Sequence, residues 1–180
     1  MSIASKYRPH YTYSDYILWK GNWELIEGMP YAMSPGPSIL HQYVSGRLLW
    51  VFHKAITKGG QHYQISLPIN WKIDDKSVVQ PDLLVLYKPV DSGEYLESTP
   101  ALVVEVLSPA TAFKDRHEKF ELYEQSGVRY YLIVDPSINK IEVYQLIDGQ
   151  YQPAAVTPSQ FSFTLEEGCE LAVDFAKTWD

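Results

Sequence analysis

The stretch "PALVVEVLSPAT", Pro100–Thr111, decides how the rest of the chain is read. Its run of Ala, Leu and Val between prolines has the near-continuous apolar character of a central strand buried on both faces. Glu105 interrupts that run. A carboxylate removed from water loses several kcal/mol of hydration unless something compensates it, so Glu105 calls for a partner.

The nearest upstream strand pattern, "QPDLLVLYKP", offers one. Opposed positions of an antiparallel pair have residue numbers with a constant sum. Placing Asp82 opposite Glu105 makes that sum 187, and the midpoint falls between Gly93 and Glu94, inside the turn-like "DSGE". A slip of one residue would part the two carboxylates onto opposite faces. Two carboxylates in one low-dielectric site repel, and either one takes a proton or a cation joins them. With no Cys or His cluster at zinc spacing, oxygen ligands point to a hard cation such as Mg²⁺.

The segment that follows, "AFKDRHEKFELYEQSG", reads as one helix ending at Gly127. At about 100° per residue, Lys114, His117, Glu118, Glu121, Glu124 and Gln125 share a solvent-facing arc. Phe113, Asp115, Arg116, Phe120, Leu122 and Tyr123 fall on the inward arc, together with Lys119. An inward lysine suits a carboxylate pair, where it can orient water and balance developing negative charge.

Further out, "WELIEGMPY" predicts a hairpin around Glu27–Gly28, after a short amphipathic segment from Ser14 to Lys20. "SPGPS" breaks the chain, and Val44, Leu48, Val51, Phe52 and Ala55 mark a long helix from Leu40 to Thr57, stopped by "KGG". "HYQISLPINW" reads as one strand; "VRYYLIVDP" and "KIEVYQL" add two more around a turn containing Asp135. Beyond Gly149 the signals weaken: "QPAAVTPSQFSF" reads as irregular or edge strand, and "AVDFAKTW" as a terminal helix.

At 180 residues with 46% hydrophobic and 21% charged content, residues 1–180 are expected to form a single domain. The 14 Tyr and 5 Trp lean towards strands. The one cysteine, Cys169, excludes an internal disulfide framework, and "MSIASKYRPH" has no secretory h-region, so a cytoplasmic location is expected. No apolar run approaches the roughly 18 residues of a membrane span. The net charge of −7 argues against nonspecific coating of nucleic acid, which requires many Lys and Arg on phosphates. It leaves room for a metal-dependent nuclease, whose acidic residues gather in the active site.

"QPDLLVL", "LVVEVLSP" and "KDRHEKFELYEQSGVRYYLIVDP" together resemble the Uma2 family of endonucleases within the PD-(D/E)XK nuclease superfamily. The resemblance runs from about Tyr13 to Tyr144 and includes "WELIEGMPYAMSPGPSILHQ", with Glu27 and His41 at positions the family pattern favours. It implies an α/β (α+β) mixed sheet with a restriction-endonuclease-like core. It further implies Mg²⁺-dependent (or Mn²⁺-dependent) hydrolysis of DNA phosphodiester bonds. Pro81-Asp82 and Glu105 match the motif, but Leu107 stands where its lysine belongs. Lineages that lack this lysine supply it from the adjacent helix, so Lys119 is the expected replacement. Asp82 and Glu105, with the Val106 carbonyl, are the expected metal ligands; Glu27 and His41 are possible accessories, and a homodimer is an expectation of the resemblance alone.

Plainer roles stand beside these. Glu105 could be a structural carboxylate paired with a core cation, Asp82 a polar strand start, and Lys119 an i, i+4 partner of Asp115. His41 could be a capping histidine and Glu27 a turn residue. A nuclease fold that binds DNA without cutting it, or a regulatory interaction protein, would also accommodate Leu107.

Overall fold

Chain order in the computed structural model follows the short-range pattern of the sequence closely at first. The structure describes residues 9–33, 36–60, 62–90, 92–166 and 169–179. Helix α1 (Tyr13–Tyr16) leads into the hairpin β1 (Trp23–Ile26) and β2 (Met29–Ala32), then the long helix α2 (Ile39–Gly59). Strands β3 (Gln64–Ser66), β4 (Trp71–Asp74), β5 (Ser77–Val79), β6 (Leu83–Leu86) and β7 (Leu102–Val106) follow. After helices α3 (Ala112–Arg116) and α4 (Glu118–Gln125) come β8 (Tyr130–Asp135), β9 (Lys140–Ile147), β10 (Gln150–Val156), β11 (Gln160–Glu166) and β12 (Cys169–Asp174).

The hairpin at Glu27–Gly28 forms as expected: Ile26 pairs with Met29, and both turn residues take positive φ, 49° and 82°. Two consecutive left-handed residues are what a two-residue turn between twisted strands requires. Helix α2 is capped by Ser38, whose hydroxyl accepts from the His41 N–H, and is closed by left-handed Gly60. Its Val44, Leu48, Val51, Phe52 and Ile56 are buried.

Six strands make the central sheet in the order β10-β9-β8-β7-β6-β3, antiparallel except for the parallel pair β7–β8. Parallel neighbours need a crossover, which α3 and α4 supply. A four-stranded sheet, β2-β1-β5-β4, and the β11–β12 hairpin complete the architecture. Leu102, Val104 and Val106 of β7 pack with α2 and with Phe163 and Val173 of β11–β12. Val103 and Leu107 pack on the other side with Leu122, Tyr123 and Trp71. Among the described residues no helix is long and apolar enough to cross a membrane.

Four sequence expectations change. "HYQISLPINW" is not one strand: the chain leaves the central sheet after β3 at Pro68, which cannot donate to a ladder, and re-enters pairing as β4 in the other sheet. The β4–β5 hairpin was not anticipated; the Asp74 side chain accepts from the Lys76 N–H at 2.7 Å and shapes its turn. "AVDFAKTW" is not a helix, because Leu171, Val173 and Phe175 are buried at a spacing of two, and it continues β12 into a single 3₁₀ turn over Phe175–Lys177. The predicted crossover helix is broken at His117 (φ −126°, ψ −71°) into α3 and α4.

Candidate active site

The pairing arithmetic holds. Leu83 opposes Val104 and Leu84 opposes Val103, so the register sum is 187 and its continuation sets Asp82 opposite Glu105. The connection is no tight turn, since Leu96 between the strands bridges to Trp71, and the first residue of "DSGE", Asp91, lies outside the described residues. Asp82 stands just ahead of β6, where its Oδ2 accepts the Val106 N–H at 2.7 Å and so continues the ladder past the strand end. The same oxygen lies 3.3 Å from His41 Nε2. Burial opposes the charged form of His41, but the Asp82 hydrogen bond and charge, helped by a backbone bond to Val106, outweigh it and raise its pKa.

Glu105 is 3% exposed. Its Oε1 accepts from Lys119 Nζ at 2.8 Å and from the Tyr123 hydroxyl at 2.7 Å. Burial pushes the Glu105 pKa well up; Lys119 opposes the shift, while Asp115, Asp82 and Glu24 add to it. Lys119 thus reaches the carboxylate from the helix that follows β7, while Leu107 at the motif position is buried among apolar neighbours.

Sequence reading missed the second carboxylate on Lys119. Glu24 of β1 is fully buried and lies 2.7 Å from Lys119 Nζ; its other oxygen pairs with Lys114, and its Oε1 accepts the Gln80 N–H at 2.9 Å. Burial resists ionisation of Glu24, but the two lysines overcome it and lower its pKa. The visible signal was a charge in "WELI" directly before two apolar residues, overlooked in favour of Glu27. Glu27 occupies the exposed turn with φ 49°, and it is Glu24 that β1 delivers into the cluster.

Lys114 was assigned to the solvent face, and the break at His117 explains why it is not there. On a straight helix Lys114 and Lys119 would point about 140° apart; with the helix interrupted, both reach Glu24, and Phe113 is turned out to 70% exposure. Asp115 is buried, 3.7 Å from Lys119, and its Oδ1 has no hydrogen bond among the described residues. Burial raises its pKa, with Lys119 pulling the other way. Lys119 is itself disfavoured as a cation by burial, yet Glu105, Glu24 and Asp115 reverse this and hold it charged.

Four carboxylates (Glu24, Asp82, Glu105, Asp115) therefore face Lys114, Lys119 and His41. The carboxylates outnumber the cations facing them; burial, with the neighbouring carboxylates adding to it, raises the pKa of Glu105 and Asp115, and one additional cation would relieve that excess. Among the described residues no three His, Cys, Asp or Glu side chains form a metal-holding group, and the ladder register sets Asp82 and Glu105 opposite each other. A pair is the protein share of a typical Mg²⁺ site, with water and substrate oxygens completing the shell.

Comparison with known proteins agrees with this architecture. A crystal structure of "a putative nuclease belonging to DUF820" from Anabaena variabilis ATCC 29413 superposes with a TM-score of 0.73 at 15% identity, over 93% of this chain and 97% of that one. The fold is that of restriction-endonuclease-like proteins, a mixed α+β core. The uncharacterized protein slr1290 of Synechocystis is 31% identical over 147 residues, 78% of this chain and 76% of its own length. A second Synechocystis protein, sll1609, is 30% identical over 81 residues, 43% of this chain and 46% of its own. Residues 13–176 match the family described as "Putative restriction endonuclease", and the chain belongs to that family, Uma2.

Proposed function

We propose that the protein is a divalent-metal-dependent endonuclease that hydrolyses DNA phosphodiester bonds at the Asp82, Glu105 and Lys119 cluster. The carrying observation is Lys119 Nζ, delivered from α4 to 2.8 Å from Glu105 in a chain whose motif lysine position is Leu107. Membership in a family described as restriction endonucleases supports the reaction class.

Asp82 and Glu105 would hold Mg²⁺ or Mn²⁺. The bound cation would polarise the phosphate and make a neighbouring water more acidic. The Val106 N–H and His41 orient Asp82 by its Oδ2, and Tyr123 orients Glu105 by its Oε1. Lys119, kept charged by three carboxylates, positions the attacking water beside Glu105 and balances negative charge that builds on the phosphate. The water oxygen gives up one proton to solvent as it bonds to phosphorus, the phosphorus–oxygen bond to one sugar breaks, and the departing oxygen takes up a proton from solvent. Glu27 has no part.

Supercoiled plasmid tests this directly. Nicking is expected with Mg²⁺ and absent with EDTA, and it is lost in a folded Glu105→Gln variant. Mg²⁺ should also raise the melting temperature of the wild type but not of Glu105→Ala. Nicking that survives chelation, or that Glu105→Gln leaves undiminished, would sink the assignment.

A further inference from the structure

Charge is unevenly placed along this chain. Asp and Glu outnumber Lys and Arg by 22 to 15 overall, yet the 21 residues of α2 hold Arg47, Lys54 and Lys58 and no Asp or Glu. Steps of seven and four residues keep these three cations within about 40° of one another, on one flank of the helix. Lys54 and Lys58 line an open groove of about 300 Å³ between α2 and the β11–β12 hairpin, and Lys177, in the 3₁₀ turn after β12, lines it too.

Contacts fix this arrangement. Arg47 Nε donates to the Lys177 carbonyl at 2.9 Å and Nη2 donates to the same oxygen, which ties the turn carrying Lys177 to α2. The Lys54 ammonium lies 4.9 Å from the centre of the Trp50 ring. Lys72, Lys114, Lys119, Lys140 and Arg116 all pair with carboxylates, whereas among the described residues neither Lys54 nor Lys58 forms an ion pair. Asp174 is the one acidic residue of the lining, and its Oδ1 accepts the Ala176 N–H at 3.1 Å, capping the 3₁₀ turn.

The lining selects an anion. Three lysines against one aspartate give the groove a positive field that the net charge of −7 conceals. Lys, Ser and Gln are among the side chains that contact nucleic-acid phosphates, and Ser162 and Gln160 line the groove with the lysines. Lys54 and Lys58 stand about 6 Å apart along the helix axis, so their charges are spread out, which suits a chain of phosphates better than a single ion.

Position separates this groove from the cleavage cluster. α2 and the hairpin cover the face of β7 that carries Leu102, Val104 and Val106, whereas Glu105 meets Lys119 on the other face. Lys54 also lies about 20 Å along the helix axis from His41, at a rise of about 1.5 Å per residue.

We propose that the groove is a second nucleic-acid site, which holds the phosphate backbone of a DNA strand away from the place of cutting. Lys54, Lys58 and Lys177 each meet a phosphate, and no base is read. The choice of nucleic acid among polyanions rests on the nuclease reading of the Asp82, Glu105 and Lys119 cluster.

The test reads the salt dependence of binding. Affinity is measured in EDTA by fluorescence anisotropy with a dye-labelled oligo-dT of about 12 nucleotides, a length that single-strand grooves hold, from about 50 to 200 mM salt. Three phosphate contacts predict that log K falls with log salt at a slope of about −2, and Lys54→Gln with Lys58→Gln should bring it to about −0.7. Lys20→Gln with Lys76→Gln removes the same charge from exposed positions elsewhere and should leave the slope unchanged. A wholly abasic strand should bind as oligo-dT does. The site is overturned by any of four results: no binding by the wild type, a slope that ignores Lys54 and Lys58, an equal drop in the Lys20 and Lys76 variant, or failure of the abasic strand to bind. Displacement of the strand by AMP or polyglutamate at matched charge concentration would likewise overturn it, by assigning the groove to a free nucleotide or an acidic peptide. Plasmid nicking is scored separately: nicking alongside a slope that ignores Lys54 and Lys58 removes the groove alone, and groove binding without nicking removes the nuclease reading alone.

Discussion

Leu102, Val104 and Val106 of β7 face α2 and the β11–β12 hairpin, whereas Val103, Glu105 and the following Leu107 face α4 and the four-stranded sheet. The β7 side chains of the first face are all apolar and gain stability from every methylene they bury. On the second, ion pairs must offset the loss of hydration of Glu24, Glu105, Asp115 and Lys119, and like charges remain in excess. One strand therefore carries both the stability of the sheet and a region whose arrangement costs stability. The difference teaches that the two faces of one strand answer to different physics, since an apolar core would fill the charged face's space more cheaply.

Substitutions on each face can break or sharpen that contrast. The largest effect is expected from Lys119→Met, which leaves Glu24, Glu105 and Asp115 without the cation they share. Stability in urea should fall by roughly 3–5 kcal/mol, and nicking per folded molecule should disappear. Unchanged stability would mean that the cluster is not held by this lysine. Leu48→Ala on the apolar face should cost about 2–5 kcal/mol through an unfilled cavity, yet leave nicking per folded molecule as in the wild type. If it reduces nicking as strongly as Lys119→Met does, the two faces are not functionally separate.

The smallest effect should come from Arg116→Ala at the rim, where Arg116 pairs with Glu142 at 2.6 Å. About 1 kcal/mol or less is at stake for such a partly exposed pair. Burial disfavours the Glu142 carboxylate, but Arg116 and Lys140 outweigh it and hold its pKa below the usual value. A lowered carboxylate pKa adds stability that is present above the unfolded value, near pH ~4.3, and is lost as pH falls through the folded one. The gap between wild type and Arg116→Ala should therefore be widest near neutrality and shrink in acid. Urea titrations at both ends of that range check the sign.

The parts of the molecule legible from sequence were those set by neighbours in the chain. Alternation and turn residues located the Glu27–Gly28 hairpin, the 3.6-residue period located α2, and a constant register sum placed Asp82 opposite Glu105. Lys119 was legible because its position on the inward arc conflicted with its charge. "AVDFAKTW" was misread because the partner that draws Cys169–Asp174 into a strand is β11, and a short segment has too little intrinsic preference to resist it. Lys114 was misplaced because helical projection assumes a straight axis, and the axis breaks at His117.

The sequence by itself determined that a carboxylate interrupts a buried strand, that a second stands opposite it, and that the motif lysine is absent. The first two follow from covalent order and the two-residue period of a strand, the third from comparison with the family motif. Only the tertiary structure decided that Glu24 from another sheet, Lys114 from a turned helix and Asp115 join them. Those residues lie far apart in the chain. Their meeting depends on how two sheets and a broken helix pack, a long-range outcome that local periodicity does not encode.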